Sequence, residues 1–132
     1  MSKLKCLCGF VIVDQRDLLE YKGTIQKDQN YVTYFDEVTF ALADFNAYCV
    51  RGERDLWIDK YFGNDYPKDL DNTSIIDDVL SYVKAKYEVL IYECTKCGTI
   101  FIQKENHYEA YSPVERKYQA ILKSTHYNPE SQ

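Results

Sequence analysis

The sequence predicts an α+β fold in which the two ends of the chain form one small antiparallel sheet and the middle is a helical insertion. Short strand-like runs surround Cys6 and Cys8 near one end, and Cys94 and Cys97 near the other. Between them, apolar residues recur at three- and four-residue spacing, which is typical of amphipathic helices. With 132 residues and no composition break, the chain is predicted to be a single domain, 1–132.

The elements are assigned in chain order from periodicity and from turn and helix-start signals. Residues 1–13 and 88–112 supply the sheet, including a hairpin across the second cysteine pair. Residues 14–87 form the mainly helical insertion. Pro113 then opens a C-terminal helix at 113–125, with an apolar side that begins at Val114.

Within the insertion, residues 14–30 are polar and predicted to be irregular, with Gly23 marking a loop. Three apolar stripes follow and predict three helices. The third helix is predicted to begin at Ser74, because Ser74-Ile75-Ile76-Asp77 resembles a capping box with Asp in place of Glu. The stripes of the three helices run from Tyr31 to Cys49, from Leu56 to Phe62 and from Ile76 to Tyr87.

The cysteines carry the strongest chemical signal. Cys94-Thr95-Lys96-Cys97-Gly98 has the spacing of a zinc knuckle, because two residues between thiolates let a tight turn direct both sulfurs at one ion. Cys6-Leu7-Cys8-Gly9 is one residue shorter and keeps the trailing glycine. Together the pairs predict a structural Zn²⁺ site and a zinc-ribbon-like sheet. The predicted metal ligands are Cys6, Cys8, Cys94 and Cys97.

The separation of 86 residues between Cys8 and Cys94 is long for one zinc module, and the helical insertion accounts for it. Two other interpretations stay open: a redox pair at Cys94 and Cys97, and unliganded buried thiols. Cys49 falls on an apolar helix stripe and is predicted to be a core residue.

Four cysteines complete a tetrahedral site, so His107 and His126 are predicted to be surface residues rather than ligands. A closed four-thiolate site leaves no position for a catalytic water. The sequence also lacks zinc-protease, deaminase, phosphate-loop and nucleophile-elbow motifs. We therefore expect no enzymatic activity.

The negative charge is concentrated in one segment. Residues 53–78 carry eight acidic and three basic side chains. The net charge of this segment is therefore −5, the same as that of the whole chain. The segment is either a solvated surface or a docking surface for a basic protein, with aromatic side chains as anchors. The candidate partner-binding residues are Trp57, Asp59, Tyr61, Asp65, Tyr66, Asp69 and Asp71, with Phe62 as a further anchor.

Composition limits the partners and the compartment. A net charge of −5 and a pI near 5.0 argue against general attraction to nucleic acid or anionic lipid. The basic N-terminus has no apolar region behind it, and no run approaches the roughly 18 apolar residues of a membrane span. We expect a cytoplasmic protein, in which clustered thiols stay reduced.

The two cysteine motifs, Lys5-Cys6-Leu7-Cys8-Gly9 and Tyr92-Glu93-Cys94-Thr95-Lys96-Cys97-Gly98, resemble those of small uncharacterised bacterial zinc-ribbon proteins. The resemblance covers the chain ends and not the helical middle. Some proteins of that kind accompany bacterial toxin systems, so the resemblance implies an immunity role in which a toxin is neutralised.

A second function class stays open beside this one. Zinc ribbons also occur in nucleic-acid-binding and transcription-associated factors, although a fold alone does not determine a function. Lys3, Lys5 and Lys96 lie near the cysteines and give this alternative its support. The overall charge favours the protein-binding alternative.

Overall fold

The computed structural model of the chain describes residues 2–131. Over this range the fold is α+β, with three α-helices and two antiparallel sheets. Among the described residues, no helix combines the length and the apolar character that a bilayer crossing requires. The strands are β1 (Ser2–Lys5), β2 (Val11–Asp14), β3 (Lys22–Gln26), β4 (Glu88–Glu93), β5 (Ile100–Lys104) and β6 (His107–Tyr111). The α-helices are α1 (Tyr31–Val50), α2 (Arg54–Phe62) and α3 (Asn72–Tyr87), and single 3-10 turns lie at Asp28–Asn30 and Pro129–Ser131.

The chain divides into two compact units. The sheet unit comprises Met1–Ile25 and Val89–Gln132 as far as these are described, and the helical unit comprises Gln26–Glu88. The helical unit therefore begins at Gln26 rather than at residue 14, because the chain first forms β3 beside β4. The predicted irregular stretch at 14–30 is wrong over Lys22–Gln26, where the pairing partner is distant in sequence.

The sheet unit holds two separate sheets. β1 and β2 form a two-stranded hairpin in which Leu4 lies opposite Ile12. The other four strands are ordered β3-β4-β5-β6, and Tyr92 lies opposite Phe101. The predicted single sheet is therefore wrong in this detail: β1 and β2 pair with each other, and β3 takes the place beside β4. The buried cluster of the unit consists of Cys6, Ile12, Tyr92, Cys94 and Phe101.

The predicted C-terminal helix at 113–125 is wrong. This segment, called the strap below, forms turns in which Arg116 N–H donates to Pro113 O and Lys123 N–H donates to Ala120 O. Arg116 and Ala120 have φ values of 49° and 53°, which lie outside the right-handed helical region. The carboxylate of Glu93 accepts backbone N–H groups of the strap, so those donors are not available to a helix.

The helical unit confirms the three helices predicted from periodicity. The buried positions of α1 are Ala41 and Phe45, four residues apart on one face. The start of α3 differs from the prediction, because Asp71 rather than Ser74 is the N-cap and accepts Ser74 N–H at 2.8 Å. The buried cluster consists of Ala41, Phe45, Trp57, Ile58, Ile75, Val79 and Val83.

A carboxylate on α1 ties this helix to the end of α3. Glu37 accepts hydrogen bonds from the ammonium of Lys86 and from the hydroxyl of Tyr87, the latter at 2.6 Å. These bonds lower the pKa of Glu37, with the Lys86 bond as the largest cause. The pair therefore adds a charged contact to the apolar packing of α1 on α3.

Candidate metal centre

The structure brings all four predicted cysteine ligands together. The Sγ atoms of Cys6 and Cys97 are 3.5 Å apart, and those of Cys8 and Cys94 are 3.7 Å apart. All four sulfurs lie within 4.8 Å of one another, and each of these cysteines is a free thiol. A disulfide needs a separation of about 2.05 Å, so the geometry is not that of paired cystines. The four cysteines could hold one metal ion.

Each cysteine pair is positioned by a turn between strands. In the first turn Cys6 N–H donates to Phe10 O at 2.8 Å, and Gly9 N–H donates to Cys6 O at 2.9 Å. In the second turn Gly98 N–H donates to Cys94 O at 2.8 Å. Gly9 and Gly98 have φ values of 94° and 79°, a region that side chains with a Cβ rarely adopt. The trailing glycines of both motifs are thereby explained.

Gly98 has a second reason to lack a side chain. A Cβ at this position would collide with the backbone carbonyl oxygen of Lys117 and would touch Pro113. Both residues belong to the strap, so the strap lies directly against the turn that holds Cys94 and Cys97. The second cysteine pair is covered by the segment that the sequence predicted to be a C-terminal helix.

The electrostatic surroundings of the thiols differ. Burial raises the pKa of Cys94 to about 12, although the backbone N–H groups of Cys97 and Lys96 donate to its sulfur. Burial also raises the pKa of Cys6. The hydroxyl of Thr99, 3.0 Å from the Cys97 sulfur, lowers the pKa of Cys97 to about 6. Cys94 and Cys6 therefore favour the neutral thiol unless a cation compensates their charge.

Glu93 has a structural role in this unit that the sequence analysis missed. Its side chain is 1 % exposed, and its two carboxylate oxygens accept Gln119 N–H at 2.9 Å and Ile121 N–H at 3.0 Å. It therefore fixes the strap over the strand that leads into Cys94. A charged residue at the end of the apolar run that leads into Cys94 was the available signal, since Glu is almost never fully buried unless paired.

The structure contradicts the assignment of Trp57 to a partner-binding surface. Trp57 is 1 % exposed. Its ring stacks on that of Tyr61 with ring centres 4.8 Å apart, and its ring centre lies 4.7 Å from that of Phe45. A large aromatic ring on a helix stripe has the same pattern whether it faces a core or a partner, and here it fills the core. Phe62 and Tyr66 stack on each other at 4.1 Å and pack against the same cluster.

Several candidate acids have partners within the helical unit. Asp59 forms an ion pair with Lys68 at 2.7 Å, and Asp71 is the N-cap of α3. Asp65 and Asp69 are exposed. The seven candidate partner-binding residues therefore do not form one surface of equivalent side chains.

The positions of Cys49, His107 and His126 agree with the sequence analysis. Cys49 is half-buried and packs against the core of the helical unit. His107 and His126 are exposed, and His107 contacts Glu109 at 2.9 Å. Neither histidine is a member of the cysteine cluster.

Comparison with protein families adds one result. The family model described as "Domain of unknown function (DUF8617)" matches residues 2–131. The chain belongs to this family. Comparison with curated proteins and with solved structures returned no match. The family description names no activity, so the function has to be argued from the cysteine cluster and the charge distribution.

Proposed function

We propose that the protein is a cytoplasmic, non-catalytic protein-binding module whose sheet unit is stabilised by one Zn²⁺. The cysteine cluster carries this proposal. A tetrahedral ion with Zn–S bonds of about 2.3 Å separates its sulfurs by about 3.8 Å. The separations of 3.5 Å for Cys6 and Cys97 and 3.7 Å for Cys8 and Cys94 fit such an ion with small adjustments. Thiolates are soft ligands, which favours Zn²⁺ over Mg²⁺ or Ca²⁺.

The donor set supports a structural rather than a catalytic role for the ion. Catalytic zinc sites commonly have three protein ligands and one open position for water or substrate. Four cysteine ligands would fill every position of a tetrahedral Zn²⁺. The sulfurs of Cys6, Cys94 and Cys97 also accept backbone N–H groups, an arrangement that orients ligands around a fixed ion.

The charge distribution supports a basic protein as the partner. The helical unit, Gln26–Glu88, carries 13 acidic and seven basic side chains and has a net charge of −6. The rest of the chain has a net charge of +1. A concentrated negative field speeds association with a positively charged protein. The resemblance of the cysteine motifs to toxin-associated proteins suggests that this partner is a toxin domain, and that the protein acts as its immunity protein.

The surface that we propose for this partner is narrower than the sequence suggested. It consists of exposed acidic side chains of the helical unit and excludes the aromatic rings that fill the core. Asp71 belongs to this surface although it also caps α3, because its side chain remains exposed. The exposed acids of the segment are Asp55, Asp65, Asp69, Asp71 and Asp77.

Co-expression with the protein encoded by the neighbouring gene tests the immunity role. If that gene encodes a toxin domain, we expect a stable complex and restored growth of the producing cells.

Replacing Asp65, Asp69 and Asp71 by Asn should slow association at low salt, since three charges are lost while Asn still caps α3. The matched control replaces the exposed Glu105, Glu109 and Glu115 of the sheet unit by Gln. Equal association rates for the two triple variants would refute the acidic surface.

One observation favours a nucleic-acid-binding role as the second candidate. Lys3 and Lys5 lie opposite Val13 and Val11 on the exposed face of the β1–β2 hairpin. This places two cations on one side of a strand pair. Binding to duplex DNA measured across salt concentrations distinguishes the candidates, because phosphate contacts weaken steeply as salt rises. Binding that is lost in a Lys3→Gln, Lys5→Gln variant would favour this second role.

A further inference from the structure

The four cysteines of the cluster are covered unequally. Cys94 and Cys6 are 0 % and 2 % exposed, Cys97 is half-buried and Cys8 is exposed. Leu7, beside Cys8, is 95 % exposed. The cluster is therefore open to solvent at the turn between β1 and β2.

The second cysteine pair is held on several sides. The strap contacts Gly98 through Lys117, and Glu93 fixes the strap by two backbone hydrogen bonds. The Thr99 hydroxyl contacts the Cys97 sulfur at 3.0 Å, and Thr99 itself is 7 % exposed. Releasing Cys94 or Cys97 from an ion would require this packing to move as well.

Within residues 2–131, the first turn lacks such cover on its outer side. Leu7, Cys8 and Gly9 are all exposed, and a Cβ built on Gly9 meets no atom within 4 Å. Cys6 is the buried member of the pair and belongs to the core of the sheet unit. A rotation of the Cys8 side chain into solvent therefore disturbs little packing, in contrast to movement of the other three ligands.

We propose that Cys8 is the exchangeable ligand of the metal centre, and that the ion enters and leaves through the first turn. This inference rests on the proposed Zn²⁺ site. An external thiol, such as a small-molecule thiol or a cysteine of another protein, replaces Cys8 first. Its sulfur forms a bond to the ion as the Cys8–metal bond breaks, and the Cys8 thiolate accepts the proton that the incoming thiol loses. The ion keeps its charge, and no electron is transferred.

Limited alkylation of the metal-bound wild-type protein tests this order directly. The protein is treated with N-ethylmaleimide below stoichiometric amounts, and the modified cysteines are identified by peptide mapping. Among the four ligands, we expect modification to begin at Cys8, and metal release to a chromophoric chelator to follow the extent of Cys8 modification. Cys49 serves as an internal control, since it lies outside the cluster. Initial modification of Cys6, Cys94 or Cys97, or equal modification of all four, would overturn the proposal.

A pair of matched variants gives an independent readout. Cys8→Ser should retain one metal ion after purification and release it faster than wild type, because a hydroxyl is a weaker ligand for Zn²⁺ than a thiolate. Cys97→Ser also replaces a ligand sulfur by oxygen, but in the turn that the strap covers. This variant should lose both the ion and the fold of the sheet unit. A Cys8→Ser protein that releases metal at the wild-type rate contradicts the proposal. The wild-type alkylation order decides the matter if Cys8→Ser fails to fold.

Failure of this inference differs from failure of the proposed function. A purified wild-type protein that contains no metal and responds to no added Zn²⁺ refutes the metal site itself. A protein that binds one Zn²⁺ but is alkylated first at a ligand other than Cys8 refutes the exchange route alone.

Discussion

The buried clusters of the sheet unit and the helical unit differ in composition. In the buried cluster of the sheet unit, two of the five members are Cys6 and Cys94, which are also candidate metal ligands. The buried cluster of the helical unit has seven members, and none of them is a cysteine. If the four cysteines hold an ion as proposed, that ion would supply part of the cohesion of the sheet unit, whereas the core of the helical unit is held by apolar packing.

Sequence separation points the same way. The helical unit is one continuous segment, and within it α1 packs against both α2 and α3. The sheet unit joins the two ends of the chain, so its formation closes a long loop and carries the corresponding entropy cost. An ion bound by Cys6, Cys8, Cys94 and Cys97 would connect those ends directly.

Cys97→Ser should have the largest effect, and it should be confined to the sheet unit. Metal-binding free energy at a structural zinc site is folding free energy, with apparent values of about 10 kcal/mol or more. We expect loss of the ion and of the ordered sheet unit, while the helical signal in circular dichroism persists. Methyl-region NMR or hydrogen exchange would assign the loss to the sheet unit. A variant that melts like wild type would show that the sulfur is not a structural ligand.

Trp57→Ala should destabilise the helical unit and leave the sheet unit and its metal content unchanged. Removing this ring from the core of the helical unit should cost about 3–5 kcal/mol, while the metal content stays at the wild-type level. Leu56→Ala is the matched control, because Leu56 is 57 % exposed and its truncation should change stability by less than about 0.5 kcal/mol. Chemical denaturation followed by circular dichroism measures both. Equal effects of the two variants would contradict the assignment of Trp57 to the core.

Glu93→Gln should have an intermediate effect on the sheet unit. The amide keeps one oxygen acceptor but directs an NH₂ group at a backbone N–H of the strap, which should cost about 1–3 kcal/mol. The strap should then be cleaved faster by trypsin at Lys117 and Lys123. Glu105→Gln removes an exposed carboxylate and is the control. An unchanged cleavage rate in Glu93→Gln would mean that other contacts hold the strap.

Glu37→Gln should have the smallest effect and a defined pH dependence. The folded state lowers the pKa of Glu37 from 4.5, so its contribution is present above that value and is lost as pH falls through the lower folded value. Stability of the helical unit near neutral pH should drop by about 1 kcal/mol in the variant. Denaturation measured between about pH 7 and pH 3 should show a shallower acid decline for Glu37→Gln than for wild type. Parallel curves would exclude this contact as a source of acid sensitivity.

The elements that the sequence predicted well are those with a local cause. The three helices follow from apolar spacing, and the turns at Gly9 and Gly98 follow from the motifs that contain them. The start of α3 was misplaced because Asp71 and Ser74 are both good cap residues, and only the observed hydrogen bond distinguishes them.

The strap shows why the rest was not predictable. Val114, Tyr118, Ile121 and Leu122 have the spacing of a helix face, and Pro113 is a typical first residue. The partner that prevents the helix is the carboxylate of Glu93, more than 20 residues earlier in the chain. A tertiary hydrogen bond of this kind leaves no periodic signal in the sequence of the strap.

The candidate site shows the same division. The cysteines were predicted because metal ligation constrains the residue type and the spacing at once. Trp57 was assigned to a surface because an aromatic residue next to acidic ones is compatible with an interface and with a core. Burial, which depends on packing among three helices, decides between these possibilities.

Native mass spectrometry of the purified protein, before and after treatment with a strong chelator, tests whether a bound ion stabilises the sheet unit. We predict one Zn²⁺ per chain before treatment. After treatment we predict the mass of the reduced, metal-free chain and the broad charge distribution of a partly unfolded protein. A chain that carries no metal as purified, or one whose compact charge distribution is unchanged after complete metal removal, would contradict an ion-stabilised sheet unit.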